Sequence, residues 1–435
     1  MAYGIDAFSF LNRKCKILIL AVFGTILVVT WATVNRNRTV LENEGRISQR
    51  VLNDLKKDVE KYNIEVTGGA GFVGSHLVDA LLIAGHEVTV VDNFFTGRKR
   101  NIEHWIGHEN FELLNHDVVE PLLLEVFVCF EGFIDASCVL VLYTVDQIYH
   151  LASPASPPNY MYNPIKTIKT NTLGTLNMLG LAKRVHARLL LASTSEVYGD
   201  PEEHPQSEEY WGHVNPIGPR ACYDEGKRVA ETMCYAYAKQ EHVEVRVARI
   251  FNTSGCKQLY HASTGGKTPN IISFKMLNVA IAPHYYFQVY GSGQQTRSFQ
   301  YISDLVNGLI LLMNSNFSQP INIGNPGEYT IMQFAEMIRD AAQYCLPPGY
   351  LAPGLPECPS KKQFQPIYVL IGGKTPILNL NKMQDDPQRR KPDITRARTI
   401  LGWEPKVPLN VGLNRTIEYF KRELFKSKKS KLVDL

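Results

Sequence analysis

The sequence predicts an α/β protein in which a doubly wound, mostly parallel sheet is followed by a smaller C-terminal part and preceded by one transmembrane helix. Three observations lead to this prediction. Apolar strand-like segments alternate with helical segments between residues 62 and 253, a glycine-rich turn joins the first strand to the first helix, and an uncharged apolar run occupies residues 17–34.

The composition is that of a globular protein and excludes several other classes. The 435 residues are 45% hydrophobic and 20% charged, which allows a large buried core. A formal net charge of +4, with no dense basic patch outside 426–431, does not indicate a nucleic-acid partner. The eight cysteines form no C-x-x-C pair, so we predict neither a disulfide scaffold nor a metal site.

The N-terminal region has the pattern of a membrane anchor. Residues 17–34 carry no charged side chain, and at about 1.5 Å per residue a helix of this length just crosses roughly 30 Å of hydrocarbon. A cleaved signal peptide is the alternative, but the apolar run is long, continues through Trp31 and stops at Asn35. We therefore predict a cytoplasmic tail at 1–16, a signal anchor at 17–34 and a polar, helical stalk at 35–61.

Charge does not decide the orientation of the anchor, because basic residues flank it on both sides. Four N-x-S/T triplets permit a luminal C-terminal body. They begin at Asn37, Asn252, Asn316 and Asn414.

The residues after the stalk alternate between strand and helix patterns. We predict strands at 64–67, 87–91, 147–150, 188–192 and 243–247, and helices at 75–84, 167–185 and 228–241. This alternation is typical of a Rossmann sheet, which we place at 62–253. The pattern is less regular after Ile250, so we assign 254–425 to a substrate-binding part and 426–435 to a basic tail.

The glycine-rich turn, Gly68 to Gly74, has glycines at every third position directly after a predicted strand and before a predicted helix. Glycine is needed there because a Cβ would block the tight turn and the approach of a pyrophosphate to the helix N-terminus. Asp92 ends the second strand, where its carboxylate can accept hydrogen bonds from a ribose and repel a 2′-phosphate. The pattern predicts an NAD site that includes Gly68, Gly71 and Gly74; the alternative is a turn that binds no ligand.

A second group of residues indicates catalysis. Tyr223 and Lys227 are four residues apart on a predicted helix, so they share one face, and we expect the ammonium to lower the pKa of the phenol. The predicted strand at 188–192 leads into Thr194, Ser195 and Glu196, at the edge of the sheet where sites form. Thr194 or Ser195 is expected to bind a sugar hydroxyl, and Glu196 to handle protons.

These residues resemble the extended short-chain dehydrogenases and, among them, the UDP-glucuronate decarboxylase family. The resemblance covers 66–123, 146–253, 289–327 and 385–423. It is most specific at VDNFFTGRKRN, HLASPASPPNYMYNPIKT, STSEVYGDPEEHPQSE and GPRACYDEGKRVAE.

The resemblance implies that NAD is the cofactor and assigns binding residues. Those implied to line NAD are Gly71, Phe72, Val73, Asp92, Asn93, Phe95, Thr96, Gly97, Asp117, Val118, Leu151, Ser153, Thr170, Ala192, Tyr223, Lys227 and Thr253. Those implied to face the UDP-sugar are Leu122, Lys169, Asn177, Gly180, Lys183, Arg184, Tyr237, Gln240 and Glu241. Arg297, in TRSFQYISDL, is a candidate catalytic residue that holds the sugar or the diphosphate.

The implied reaction converts UDP-glucuronate to UDP-xylose and CO2. Tyr223 takes the C4 hydroxyl proton while hydride passes to NAD, the 4-ketone lets CO2 leave, Glu196 or a water protonates C5, and the hydride returns to C4. The resemblance also implies a homodimer or higher homo-oligomer and a single-pass type II protein of the Golgi membrane. Two alternatives remain open: a UDP-sugar 4-epimerase or 4,6-dehydratase, and a non-catalytic NAD-binding partner of an intact enzyme.

Four segments depart from the family pattern. Glu65 stands where an aliphatic residue is usual, so it is expected to be costly unless it lies at the frayed start of the strand. Residues 127–145 resemble an apolar insertion, and Leu123 before them replaces a tyrosine. Residues 254–288 lack the usual Gly-Pro-Arg stretch, and 343–383 are longer and rich in proline.

Overall fold

A seven-stranded parallel sheet forms the centre of the fold, where the sequence predicts a mostly parallel, doubly wound sheet and locates five of the strands. The structure, a computed structural model, describes residues 61–122, 125–129, 138–142, 144–257, 287–341, 377–381 and 384–433. The strands of the sheet, in chain order, are β1 Asn63–Thr67, β2 Glu87–Val91, β3 Phe111–Leu114, β6 Gln147–His150, β7 Arg188–Thr194, β8 Val245–Ile250 and β13 Ile321–Ile323. Their order across the sheet is β13-β8-β7-β6-β1-β2-β3.

Nine α-helices connect and cover the strands of the described region. They are α1 Phe72–Ile83, α2 Pro157–Tyr162, α3 Pro164–Lys169, α4 Thr175–Val185, α5 Ala221–Glu241, α6 Ile302–Asn314, α7 Ile331–Ala341, α8 Thr395–Leu401 and α9 Leu409–Val433. A π-helical turn, Thr170–Gly174, joins α3 to α4. Proline starts α3 at Pro164, and the side chain of Asn163 caps it by accepting a hydrogen bond from the Lys166 N–H at 3.2 Å.

The strand order reverses its direction at β1, and this reversal locates the site. The chain runs outward from β1 to β2 and β3, then returns to β6 on the other side of β1. Right-handed crossovers in opposite directions place α1 and α4 on opposite faces of the sheet. A crevice therefore opens at the carboxyl ends of β1 and β6, where open α/β sheets bind their ligands.

The main core lies between the sheet and the pair α4–α5. Ile148, Leu189 and Val247 from three strands pack with Met178 and Leu179 of α4, and all five side chains are buried. The predicted strands at 147–150 and 188–192 are confirmed in the centre of this layer, because their apolar side chains are covered on both faces.

The C-terminal part builds a second core and also completes the sheet. Phe299 stacks on Phe334 of α7 with ring centroids 3.8 Å apart, and Leu413 and Ile417 of α9 pack beside them. The short strands here are β9 Thr253–Ser254, β10 Phe287–Tyr290, β11 Thr296–Ser298, β12 Gln300–Tyr301, β14 Glu328–Thr330, β15 Ile377–Leu380 and β16 Arg389–Arg390. β13 extends the Rossmann sheet, and α9 runs through 426–433 of the predicted basic tail.

A separate pair of strands overlaps the predicted insertion at 127–145. Its strands, β4 Glu125–Cys129 and β5 Cys138–Leu142, pair antiparallel. The predicted tail at 1–16, anchor at 17–34 and nearly all of the stalk lie outside the described residues, as does most of 254–288 and 343–383. Within the part of the chain that the structure describes, no helix has the length and apolar character needed to cross a bilayer.

Glu65 lies inside β1. The possibility that it lies at the frayed start of this strand is therefore wrong. It is the third of five residues in the strand and lies beside Thr89 and Ile148 of the two neighbouring strands. The side chain is fully buried, and neither carboxyl oxygen has a hydrogen-bond partner among the described residues. Burial raises the pKa of Glu65 to about 8, because the interior disfavours the charged form.

Candidate active site

The glycine-rich turn connects β1 to α1 with almost no free space. Gly68 has a φ of +72°, and a Cβ there would lie 2.9 Å from the Ala152 backbone, which follows β6. A Cβ on Gly74 would lie 2.2 Å from the Gly68 carbonyl oxygen. The absence of these carbons lets strand and helix approach each other and leaves the N-terminus of α1 open toward the crevice.

Asp92 ends β2 and is held by the turn. Its carboxylate accepts hydrogen bonds from the Ala70 N–H at 2.9 Å and the Phe94 N–H at 2.8 Å, and it is 7% exposed. Burial raises the pKa of Asp92, although both hydrogen bonds act in the opposite direction. Gly97 packs against this carboxylate, since a Cβ there would lie 2.8 Å from its oxygens. This is where a carboxylate can accept hydrogen bonds from a cofactor ribose.

A hydrogen-bonded group continues from Asp92 along the carboxyl ends of β2 and β3. The Asp117 carboxylate accepts hydrogen bonds from the Asn93 side chain at 3.0 Å and from the Lys166 ammonium. Burial alone would raise the pKa of Asp117, but the hydrogen bond from Lys166 and its positive charge hold the pKa below its usual value. We call Asp92, Asn93, Asp117 and Lys166 the adenosine end of the cleft, because the carboxylate that the sequence predicts to bind a ribose lies there.

Tyr223 and Lys227 lie at the other end, one turn apart on α5, and both are buried. The Lys227 ammonium donates to the Ala192 carbonyl of β7 at 2.8 Å, and burial lowers the pKa of Lys227 to about 8. Tyr160 stacks on Tyr223, and Thr194, the last residue of β7, lines the same cleft. These contacts bring the predicted phenol, ammonium and hydroxyl groups together.

The expected lowering of the tyrosine pKa is wrong for the described protein. Burial raises the pKa of Tyr223, and the negative charges of Glu196 and Asp224 act in the same direction. The polar side chain of Thr194 opposes this shift of the pKa but does not outweigh it. The cause is desolvation, which penalises the phenolate of a fully buried side chain.

A cluster of arginines and carboxylates borders the catalytic end. The Glu196 carboxylate pairs with Arg220, which precedes α5, and with Arg390 at 2.5 Å. Burial alone would raise the pKa of Glu196, but Arg220 and Arg390 hold it well below its usual value. Arg297 donates to Asp386 at 2.8 Å. Glu196 is therefore held as an anion, which argues against its predicted role as a proton donor.

The cleft between the two ends has a volume of about 480 Å³ and collects most of the predicted residues. Of the predicted cofactor residues, all except Gly97 line it: Gly68, Gly71, Phe72, Val73, Gly74, Asp92, Asn93, Phe95, Thr96, Asp117, Val118, Leu151, Ser153, Thr170, Ala192, Tyr223, Lys227 and Thr253. The predicted catalytic residues Thr194, Ser195, Glu196 and Arg297 line it as well.

The other residues predicted to face the UDP-sugar do not line this cleft. Lys169, Asn177, Gly180, Lys183 and Arg184 lie on α3 and α4, and Tyr237, Gln240 and Glu241 lie near the end of α5. Several make local contacts: Asn177 donates to the Val118 and Val119 carbonyls at 2.9 Å, Arg184 donates to the Leu122 carbonyl at 2.9 Å, and Lys183 pairs with Glu241 at 2.6 Å. Their role in substrate binding stays a prediction.

Several residues of the cleft have no counterpart in the sequence prediction. Arg220, Tyr160, Lys166 and Asp386 all line it. All four lie inside the family-like stretches, so the resemblance marked their surroundings without assigning them a role. Asp386 is brought to the cleft by the fold of a distant segment, and neither spacing nor periodicity indicates this.

The start of the divergent segment 254–288 is tied into the Rossmann domain. The Lys257 ammonium donates to the Asp79 carboxylate of α1 at 2.7 Å and to the Asn101 carbonyl at 2.9 Å. Asp79 also accepts from the Trp105 indole at 2.8 Å. Lys257 and Asp79 are both buried, so this ion pair fixes the residues that follow Thr253 against the helix behind the glycine turn.

Known proteins are similar to this chain in sequence, and others are similar to it in fold. Residues 66–416 match the GDP-mannose 4,6 dehydratase family. UDP-glucuronic acid decarboxylase 1 of Danio rerio is 56% identical over 95% of this chain and 91% of its own length, and its counterpart from Xenopus tropicalis is 55% identical over the same shares. UDP-glucuronic acid decarboxylase 4 of Arabidopsis thaliana is 46% identical over 92% of this chain and 77% of its own length.

The chain belongs to the UDP-glucuronic acid decarboxylase family. The family inferred from the sequence is thereby confirmed. Among solved structures, the UDP-glucose 4-epimerase of Thermotoga maritima has a TM-score of 0.64 at 24% identity, with 83% of this chain and 99% of that chain covered. A UDP-glucuronic acid 4-epimerase variant from Bacillus cereus, in complex with NAD, gives 0.64 at 23% identity and covers 83% and 99%. At these identities the likeness shows the shared fold, and the decarboxylase family is shown by the relatives.

Proposed function

We propose that this chain catalyses the NAD-dependent conversion of UDP-glucuronate to UDP-xylose and CO2. The observation that carries the proposal is the arrangement of one cleft, in which the glycine turn and Asp92 lie at one end and Tyr223, Lys227 and Thr194 at the other. The name of the family's curated members supports the same reaction.

The residues present fit NAD. Gly68 and Gly74 allow β1, the backbone after β6 and α1 to pack closely, which presents the N-terminus of α1 to the cleft, where it favours a pyrophosphate. The buried Asp92 carboxylate is placed to accept ribose hydroxyls and would repel a 2′-phosphate. Bound NAD supplies the acceptor and, later, the donor of the hydride.

The side chains of the catalytic end handle the sugar and its protons. We assign Tyr223 as the base for the C4 hydroxyl proton. Because burial raises its pKa, this role requires the positive charge of Lys227, on the same helix face, to stabilise the phenolate when the substrate is bound. The resulting 4-ketone is β to the C6 carboxylate, so CO2 leaves with the electron pair delocalised into an enolate. Because Glu196 is held as an anion by Arg220 and Arg390, a water is the better source of the C5 proton.

The arginines beside Tyr223 favour an acidic sugar. Arg220 and Arg297 line the cleft, and their present partners, Glu196 and Asp386, are carboxylates. A substrate carboxylate suits the same planar donors. A neutral hexose has no group of this charge to offer, so the cluster favours UDP-glucuronate over UDP-glucose or UDP-galactose.

The test is product analysis with the purified chain, NAD and each of the three UDP-sugars. We expect CO2 and a UDP-pentose from UDP-glucuronate alone, detected by chromatography and mass spectrometry. Epimers of UDP-glucose or UDP-galactose would instead indicate a 4-epimerase. NAD binding without any product would indicate a non-catalytic subunit, and either result would overturn the proposal.

We also propose that the chain is a homodimer. Large apolar side chains are exposed on α3, the π turn and α4, and again on α5: Ile165 is 69% exposed, Ile168 45%, Leu173 42%, Leu176 38% and Val229 40%. A second copy would cover this continuous face, since α3, α5 and the π turn contact one another. Light scattering of the chain and of Ile165→Asp tests this; a monomeric unmodified chain contradicts it.

We further propose that residues 17–34 anchor the chain in the Golgi membrane with the catalytic part in the lumen. Asn316 and Asn414 are exposed and accessible to glycosylation, whereas Asn252 lines the cleft and would place a glycan inside it. Asn37 lies outside the described residues. Two results would support this topology: the catalytic part is protected from protease in sealed microsomes, and glycosidase treatment reduces the apparent mass of the chain by an amount that is smaller in Asn316→Gln and Asn414→Gln. Cleavage of the catalytic part by protease in sealed microsomes would exclude it.

A further inference from the structure

Lys166 joins three separate elements at the adenosine end of the cleft. Its ammonium donates to the Asp117 oxygen that also accepts from the Asn93 side chain at 3.0 Å. The other Asp117 oxygen accepts from the Val119 N–H at 3.1 Å. Asn93 follows β2, Asp117 follows β3 and Lys166 belongs to α3, so one ammonium links the carboxyl ends of two strands to a helix.

The environment of this pair lets it act on ligand binding. The Lys166 side chain is 25% exposed and that of Asp117 is 29% exposed, and both line the cleft. A partly exposed ion pair contributes little to overall stability. The pair matters more for the position of the Asp117 side chain than for stability. Without the ammonium, the Asp117 carboxylate loses a partner on the cleft side and is free to turn toward solvent.

We propose that Lys166 is a positioning residue for NAD, acting through Asp117 on the adenosine half of the cofactor. The inference rests on the proposed function only in taking NAD as the ligand of the cleft. The partners of Lys166 follow β2 and β3, whereas Lys227 is hydrogen-bonded to β7, three strands from β2, so Lys166 contributes to holding the cofactor and not to the chemical steps.

The position of Lys166 predicts a particular pattern of effects. The two redox states of the cofactor differ only at the nicotinamide, at the other end of the cleft. Loss of the Lys166 ammonium should therefore weaken NAD and NADH by the same factor. In kinetics, the loss appears in the KM for NAD and not in kcat at saturating NAD.

The experiment titrates the purified full-length chain and its Lys166→Met variant with NAD and with NADH by calorimetry. We expect about fivefold weaker binding of both, the upper range for a pair of this exposure. Lys166→Arg keeps the charge and should restore binding to within about twofold. The matched control is Lys61→Met, which should leave NAD binding unchanged. It removes another ion pair, Lys61–Glu87 at 2.7 Å, and the side chains of that pair are 55% and 50% exposed.

A double variant tests whether Lys166 acts through Asp117. Adding Lys166→Met to Asp117→Asn should weaken NAD binding no further than Asp117→Asn alone. Unchanged NAD affinity in Lys166→Met, additive losses in the double variant, or a loss confined to one redox state would each overturn the proposal. Failure of the decarboxylase proposal is separate, because it would show as intact NAD binding without CO2 release.

Discussion

The ring of Tyr160 lies parallel to the ring of Tyr223, with centroids 5.0 Å apart and an interplanar angle of 7°. Tyr160 comes from α2 and Tyr223 from α5, and both side chains are buried at the wall of the cleft. The stack holds the plane of the phenol, so the direction of its hydroxyl is set by a residue outside the Tyr-x-x-x-Lys pattern.

Removing the Tyr160 ring should therefore impair the chemical step. We expect Tyr160→Ala to lower kcat by about tenfold, the effect of losing an aromatic pair worth up to about 1.5 kcal/mol. Tyr160→Phe keeps the ring and should retain most of kcat. Steady-state CO2 release measures both, and equal kcat values for the two variants would show that the stack has no role.

The activity should depend on the charge of Lys227. The pKa of this buried side chain is lowered to about 8, so the ammonium becomes a neutral amine as the pH rises through about 8. Since the positive charge is what stabilises the phenolate of Tyr223, we expect kcat/KM to fall above about pH 8. Initial rates between pH 6 and 10 measure this. A profile that stays level to pH 10 would contradict the assigned role, as would a fall of the same shape in Lys227→Arg, which stays charged.

Glu65 should make stability fall as the pH rises. Its pKa is about 8 in the folded protein and near the ordinary 4.5 when unfolded, so between these values the unfolded chain has already lost the proton that the folded chain keeps. The free energy of unfolding then decreases by up to ~5 kcal/mol from pH 4.5 to pH 8 and changes no further above it.

Glu65→Val should remove this pH dependence and stabilise the protein at pH 8. Denaturation at pH 5, 6.5 and 8 measures the difference between the variant and the unmodified chain. Glu112→Gln, an exposed glutamate on β3 of the same sheet, is the matched control and should change little. Parallel curves for Glu65→Val and the unmodified chain would show that Glu65 is not buried as a neutral acid.

The Lys257–Asp79 pair should be a major contributor to stability. Lys257→Met leaves the Asp79 carboxylate buried without its ammonium, which costs about 3–5 kcal/mol when one member of a buried pair is removed. Asp79→Leu combined with Lys257→Met should recover part of the loss, because no charge then remains. Thermal unfolding measures this, and a double variant less stable than Lys257→Met would argue against the ion pair.

Local patterns predicted the Rossmann half of the fold well. The strands at 87–91 and 147–150 are found with the same bounds, and the β7 and β8 predictions differ by only a few residues at their ends. Alternation and glycine spacing are local properties, and β1, α1 and β2 follow one another along the chain. The same locality explains why the residues predicted to bind phosphate and ribose line one cleft.

Local sequence patterns did not predict contacts between distant segments or the burial of individual side chains. Asp386 reaches Arg297 from 89 positions away, and β13 joins the sheet from beyond the predicted domain boundary. The pKa of Tyr223 was predicted in the wrong direction, because desolvation depends on all surrounding atoms and the pattern contained only the neighbouring lysine. The sequence left open whether Glu65 is buried at a cost or lies at the frayed start of its strand, and the fold buries it at the centre of β1.

The most direct test of the proposed chemistry compares the unmodified chain with Tyr223→Phe, using UDP-glucuronate and NAD and following CO2 release. The phenylalanine preserves the stack with Tyr160 and removes only the hydroxyl. We expect a rate at least about 100-fold lower, the usual effect of losing a positioned acid–base group, with NAD binding retained. Equal rates for the two proteins, whether both active or both inactive, would contradict the role of the Tyr223 phenol.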